Sequence, residues 1–310
     1  MRIIYMGTPD FAIPSLHILL EHHHEIAAVV TAPDKPRGRG QSIGITPVKK
    51  FALEHRIPIL QPENLRDAGF VSAVERLQPD LIVVVAFRIL PKEVYSIPKF
   101  GSFNLHASLL PKYRGAAPIN WAIINGETET GVTTFFLQEK VDTGSVLLQA
   151  RVKIGTDETA GELHDKLASV GAEIVLQTVH LIELGKAQPR TQDDNGATPA
   201  PKIFKDDCRI NWKTSNRAIH NFVRGLSPVP CAWTMHEGKV LKIYRTQLSQ
   251  DSKTEGKAPG SLVEVGKKTL RVATNEGTVS VLEIQQEGKK RMGIEEFLRG
   301  YFLRPEDRFD

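Results

Sequence analysis

The chain has 310 residues, 41% of them hydrophobic and 25% charged, with a formal net charge of +4 and only two cysteines, Cys208 and Cys231. Such a composition excludes a disordered chain, and two widely spaced cysteines cannot form a disulfide scaffold or a zinc-thiolate cluster. No run reaches the roughly 18 apolar residues of a membrane span.

The opening MRIIYMGTPDF has no charged n-region followed by a long apolar stretch, so a cytoplasmic protein is expected. The length points to two domains. Charge is uneven along the chain. From residue 201 onward there are 20 Lys+Arg against 14 Asp+Glu, or +6, which leaves 20 against 22, or −2, for residues 1–200. A basic final third attracts polyanions, although a modest excess is more often an ordinary solvated surface.

Arg2–Met6 reads as a short strand, Gly7–Asp10 as a turn, Phe11–Leu20 as an amphipathic helix and Ile26–Thr31 as a second strand. This is the start of a βαβ unit with a parallel sheet. The turn holds only Gly7 and lacks G-x-G-x-x-G, which disfavours a nicotinamide-dependent dehydrogenase. Ala32–Ser42 is rich in Pro and Gly and is expected to be an irregular loop. It carries Lys35, Arg37 and Arg39, cations suited to phosphates, with a plain solvated loop as the equal reading. A helix at Thr46–His55, a strand at Ile57–Leu60 and a helix at Val71–Leu77 follow.

Asp80–Ala86 is almost continuously apolar, as a central parallel strand covered on both faces must be. Phe87–Pro91 leaves its carboxyl end, where ligands bind in open α/β sheets. Phe100–His106 is the next strand, and it places Asn104 and His106 at that same edge. Residues i and i+2 of a strand share a face, so an amide and an imidazole aim together. They can donate to an oxygen gaining negative charge, and a carboxylate such as Asp142 can orient the imidazole, which is equipment for acyl transfer.

Taken singly, His106 reads as a buried histidine bonded to backbone and Asp142 as a turn carboxylate in Asp142-Thr143-Gly144. Together at a carboxyl edge they favour a site. His22, His23 and His24 are consecutive on a helix end and point apart, so no metal site is expected there. Neither Ser102 nor Ser108 lies in G-x-S-x-G, which makes hydrolysis a weak alternative.

Leu109–Gly115 is a loop, Pro118–Asn125 a helix, and Glu129–Leu137 and Ser145–Gln149 strands. A long helix, Thr159–Leu184, closes a Rossmann-like α/β domain of residues 1–187. Residues 188–202 have linker composition. Residues 203–310 hold a helix at Ser215–Val223 and short strands at Cys231–His236, Val240–Thr246, Gly260–Val265, Thr269–Ala273 and Thr278–Gln285. That is the pattern of a small, OB-like β-barrel, an architecture that often handles oligonucleotides.

In these motifs the chain resembles the folate-dependent formyltransferases. The resemblance is carried by Gly7-Thr8-Pro9-Asp10-Phe11-Ala12, Asn104-x-His106, Ser108-Leu109-Leu110-Pro111, Tyr113-Arg114-Gly115-Ala116-Ala117-Pro118 and Asp142-Thr143-Gly144. It continues through Ile210-x-Trp212 and Arg224-Gly225-Leu226-x-Pro228-x-Pro230. It departs at Ala107, where glycine is common, and at Ala86–Pro91, which is shorter than the frequent A-Y-G form.

The resemblance implies Asn104, His106 and Asp142 as catalytic residues. It implies a tetrahydrofolate site lined by Ser108, Leu109, Leu110 and Pro111 with Phe87, Ile89 and Leu90. Arg39, with Arg37 and Lys35 beside it, would meet the tRNA acceptor end while the barrel of residues 203–310 holds the tRNA body. The implied reaction moves the formyl group of 10-formyltetrahydrofolate to the α-amino group of methionine esterified to initiator tRNA, for translation initiation. No metal is expected, and the acting species is expected to be a monomer. The competing expectations are a formyltransferase acting on a small amine, such as an amino sugar or glycinamide ribonucleotide, and a non-catalytic tRNA-binding protein.

Overall fold

A computed structural model of the protein describes residues 1–37, 42–249 and 256–310, with the side chains of residues 36, 37, 42 and 43 not described. The chain forms two compact units. One comprises Met1–Gly115, Thr130–Val152 and His164–Pro199; the other comprises Ala116–Glu129, Lys153–Leu163 and Ala200–Asp310.

The first unit is built on β1 (Arg2–Gly7), α1 (Ile13–Glu21) and β2 (Glu25–Val30), the βαβ unit expected from the opening. A short 3₁₀ turn, Asp10–Ala12, precedes α1. Then come β3 (Lys35–Arg37), β4 (Ser42–Gly44), α2 (Pro47–Glu54) and β5 (Ile59–Leu60). α3 (Ala68–Arg76), β6 (Leu81–Val85), α4 (Lys92–Tyr95) and β7 (Ser102–His106) follow. α3 begins earlier than its apolar spacing suggests, because Asp67 accepts from the backbone N–H of Phe70 and caps it.

With β8 (Glu129–Phe136) and β9 (Val146–Lys153) the sheet runs β5-β2-β1-β6-β7-β8-β9. β5 through β7 are parallel and β8 joins antiparallel. All five residues of β6 are buried, which explains its unbroken apolar run. On one face of the sheet Leu105 packs against Gly171 of α6 (Ala160–Glu183), where an added Cβ would come within 2.7 Å of the leucine. The Thr134 and Thr178 hydroxyls share a hydrogen bond of 2.7 Å on that side.

Of the irregular loop expected at Ala32–Ser42, residues 32–34 have no regular structure, residues 38–41 lie outside the described residues, and the remainder departs from the expectation by pairing as strands. Lys35–Arg37 pairs antiparallel with Ser42–Gly44, with Pro36 opposite Ile43. A two-stranded ribbon leaves one edge of each strand free, so a proline whose missing N–H falls on the outer edge does not break the pairing.

In the second unit, α5 (Pro118–Ile124) packs on α7 (Asn216–Leu226). Gly225 permits the approach, since a Cβ there would lie 2.7 Å from Ile124 Cγ1, and Asn120 donates to the Gly225 carbonyl at 2.8 Å. Arg224, 6% exposed, donates to the carbonyls of Gly155 at 3.1 Å and Glu158 at 3.0 Å. Thr159 and Glu162 form a reciprocal capping box at the start of α6.

Five strands, β10 (Ala232–His236), β11 (Lys239–Leu248), β12 (Leu262–Val265), β13 (Leu270–Ala273) and β14 (Thr278–Gln286), make an antiparallel sheet ordered β10-β11-β14-β13-β12. A two-residue strand, β15 (Met292–Gly293), adds to β14 and leads into α8 (Ile294–Gly300). The two outer strands do not pair with each other. The C-terminal residues lie between them. Asp310 and Met235 exchange backbone hydrogen bonds on the β10 side, while Phe309 N–H donates to Gly260 O at 2.9 Å and Leu262 N–H to Asp307 O at 3.0 Å on the β12 side. The OB-like barrel is thus completed by a polar tail that carries no strand signal in the sequence.

Phe309 is 1% exposed and meets the rings of Trp212 and His236 at 5.9 Å and 5.8 Å. Phe309→Ala is expected to cost about 3–5 kcal/mol, read as a lower denaturant midpoint for the second unit. A loss no larger than that of a surface substitution would show that the closing segment is dispensable.

Candidate active site

β7 carries Asn104 and His106 on the face opposite Leu105, as alternation requires. Asn104 pairs in register with Val84 of β6 and Phe135 of β8, so the ladder fixes its position. Its side-chain amide makes no hydrogen bond among the described residues. His106 is 6% exposed. Its Nε2 lies 2.8 Å from the carbonyl of Tyr113. A carbonyl can only accept, so Nε2 carries the hydrogen, and Nδ1 is the ring atom left facing Asp142, 3.9 Å from Oδ2. That separation is too long for a hydrogen bond and short enough for an ion pair if Nδ1 gains a proton.

The hydrogen bond that orients the ring therefore comes from a backbone group, and Asp142 stands beside it. Asp142 Oδ2 accepts from the Gly115 N–H at 2.9 Å. Asp142 and Tyr113 both adopt left-handed backbone, with φ of 55° and 61°. Aspartate tolerates that region better than a bulky residue does, and the Tyr113 N–H is held by Thr198 Oγ1 at 2.9 Å. Gly144 follows because a Cβ there would lie 1.6 Å from Phe136 O.

The stretch from Ser108 to Pro111 forms a tight loop whose polar atoms are used internally. Ser108 is fully buried and its hydroxyl donates to Lys112 O at 2.6 Å. Thr133, also fully buried, is its hub: Oγ1 donates to Ser108 O at 2.6 Å and accepts from Leu110 N–H at 3.1 Å and Gln149 Nε2 at 3.0 Å. One donor and two acceptors exhaust a hydroxyl. Gln149 also donates to Leu110 O at 2.8 Å, and Leu109 rests against Gly131, where a Cβ would lie 2.5 Å from its Cδ2.

Of the residues at the end of β6, Phe87 and Leu90 join the apolar cluster of Met6 and Val84, whereas Ile89 is 72% exposed. β6 and β7 are parallel neighbours, so both groups leave the sheet at the same edge.

At the end of β2 the base of the β3–β4 ribbon is tied down. Thr31 and Thr46 hydroxyls meet at 2.8 Å, and Lys49 bonds the Asp34 carboxylate and, at 2.8 Å, Gln61 Oε1. Gln61 donates to Ala32 O at 2.8 Å and Asp34 Oδ1 at 2.9 Å. The hydrogen bond from Lys49, then that from Gln61, holds the Asp34 carboxyl below its ordinary value. Lys35 is exposed on the ribbon and Arg37 lies in β3. Arg39 falls outside the described residues.

No sequence pattern marks the backbone groups Tyr113 O and Gly115 N–H, or the side chains of Thr133 and Thr198, as parts of this site. Backbone groups have no residue code, and Thr198 sits in a stretch of linker composition. A threonine on the strand beside β7, in register with His106, was the one available hint.

Comparison with known proteins fits this geometry. Residues 1–179 match the formyl transferase model and residues 202–302 the formyl transferase C-terminal domain model. A methionyl-tRNA formyltransferase of Bacteroides fragilis is 48% identical over 98% of this chain and 96% of its own length. One from Clostridioides difficile is 46% identical over 97% of both chains. Among solved structures, an N-formyltransferase from Helicobacter canadensis, crystallised with folinic acid and dTDP-3-aminofucose, aligns with a TM-score of 0.69 at 20% identity over 92% of this chain and 98% of its own. HypX from Aquifex aeolicus, in complex with tetrahydrofolic acid, aligns with a TM-score of 0.66 at 18% identity over 99% of this chain and 50% of its own. These two show the fold. The two domain matches and the near-full-length identity show that the chain belongs to the formyl transferase family.

Proposed function

We infer that the chain transfers the formyl group of 10-formyltetrahydrofolate to the free α-amino group of methionyl-initiator tRNA, the step that equips that tRNA for translation initiation in the cytoplasm. The observation that carries this reading is the 46–48% identity to methionyl-tRNA formyltransferases across both domains. A small-amine formyltransferase finds support only in distant structures, which speak to fold.

In the proposed reaction the amine nitrogen attacks the formyl carbon and the carbonyl oxygen becomes an oxyanion. The Asn104 amide, which has no competing bond among the described residues, donates to it. Since His106 Nε2 is committed to Tyr113 O, its donation to the oxyanion runs through Nδ1, on the side of Asp142. Asp142 balances the imidazolium and receives the proton that the amine loses. Collapse of the adduct breaks the bond from carbon to N10, which takes the proton that Asp142 received from the amine and leaves as tetrahydrofolate. Each step places charge where a fixed partner already stands, the usual source of the largest catalytic term.

The loop from Ser108 to Pro111, with Phe87, Ile89 and Leu90 across the same sheet edge, is the proposed folate wall. Residues 203–310, which carry the +6 charge share with residues 201 and 202, are the proposed tRNA-binding domain, and Lys35, Arg37 and Arg39 the contacts to the acceptor end.

Incubation with 10-formyltetrahydrofolate and charged initiator tRNA, charged elongator tRNA or small amines is expected to place formyl on the initiator species. Formylation of the small amines with no transfer to tRNA would overturn the reading. Asn104→Ala is expected to lower kcat by roughly a hundredfold, about 2.7–4 kcal/mol for one oxyanion donor, with folate KM nearly kept; normal turnover would remove Asn104 from its role. The KM for tRNA is expected to rise steeply with salt, whereas the KM for folate should move far less. A tRNA KM indifferent to salt would remove the basic surfaces from tRNA binding.

A further inference from the structure

We propose that Gln192 is a positioning residue that braces the two loops holding His106 and Asp142; this rests on the reading of those two residues given above. Gln192 lies in the segment that follows α6, within the first unit. Its Nε2 donates to Asp142 O and to Gly144 O, each at 2.9 Å. Its Oε1 accepts from Arg114 Nε at 3.2 Å and Nη2 at 2.7 Å. A side-chain amide has two N–H donors and two acceptor lone pairs, and all four are used.

The partners explain what the brace does. Arg114 stands between Tyr113, whose carbonyl takes the His106 Nε2 hydrogen, and Gly115, whose N–H reaches the Asp142 carboxylate. On the other side, Gln192 grips the backbone at both ends of the turn Asp142–Gly144, whose first residue is in the left-handed region. One planar amide therefore spans the loop that sets the imidazole and the turn that sets the carboxylate. The distance of 3.9 Å between His106 Nδ1 and Asp142 Oδ2 depends on those two segments keeping station. Arg114 is itself fixed from outside by Asp194, at 2.7 Å, and its backbone N–H by Thr198 O at 2.9 Å.

The amide chemistry makes the proposal specific. Gln192→Glu keeps the shape and the acceptor for Arg114 but presents a carboxylate oxygen to two carbonyls. A role in packing alone tolerates that change; a bracing role does not.

Four proteins test this: Gln192→Ala, Gln192→Glu, Asp142→Asn and the double variant Asp142→Asn with Gln192→Ala. Both single changes at Gln192 are expected to lower kcat by roughly ten- to a hundredfold, the cost of about 1 Å of misplacement, with the KM for folate and for charged tRNA held within about twofold. Adding Gln192→Ala to Asp142→Asn is expected to cost a smaller factor than Gln192→Ala costs alone, because the share of the brace that acts through Asp142 is already lost. If Asp142→Asn abolishes turnover while both Gln192 variants work normally, the brace is refuted. It is equally refuted if Gln192→Ala lowers kcat by the same factor in both backgrounds, or if Gln192→Glu matches the parent. Normal turnover in Asp142→Asn would instead refute the catalytic reading beneath it. Should Gln192→Ala fold poorly, Gln192→Glu alone still decides the matter.

Discussion

The carbonyl of Tyr113 fixes the plane of the His106 ring, and much of the surrounding chain is arranged to deliver that one oxygen. A neutral imidazole has one donor and one acceptor, and committing the donor to a backbone group decides which nitrogen is left for chemistry. The bond is worth about 1 kcal/mol in net stability, so its importance lies in geometry. It requires left-handed backbone at a buried tyrosine, and the N–H of that residue is held by Thr198. It also requires the preceding loop to be compact, which Thr133 achieves with a hydroxyl whose three hydrogen bonds are all made.

The parallel sheet supplies the other half of the arrangement. The chain builds outward from β1 through β2 to β5, then returns to place β6 and β7 on the opposite side. Connections of this kind leave a crevice at the carboxyl ends of the strands. Asn104 and His106 reach that rim because β7 is locked in register between β6 and β8, and Leu105 between them is buried under α6. A shift of one residue would turn the amide and the imidazole toward α6 and the leucine toward the opposite face, so the hydrophobic face of the strand enforces the polar one.

What the sequence made legible follows the same division. Continuous apolar runs marked the central strands, because burial on both faces leaves no room for polar residues. The alternation in Asn104-x-His106 marked a shared face. The pairing of Lys35–Arg37 with Ser42–Gly44 was hidden by neighbouring prolines and glycines that signal irregularity in most contexts, yet a strand with a free edge accommodates Pro36. Gln192 was hidden by neighbours of linker composition; its value comes from partners far away in sequence, near residues 114 and 142, and no local pattern encodes such distance. The packing of Pro118–Ile124 against α7 is invisible for the same reason, although Gly225 records it once the clash at that position is seen.

The barrel's last stave is the chain's last described segment. Residues 307–310 occupy the gap between β10 and β12, and Gly260 must stay without a side chain because a Cβ there would lie 2.4 Å from Phe309 O. During synthesis the ribosome releases a chain from its N-terminus. The first unit can therefore settle around its sheet while the second still waits with an open seam, its apolar lining unsealed until residues 307–310 have emerged to bond Met235, Gly260 and Leu262.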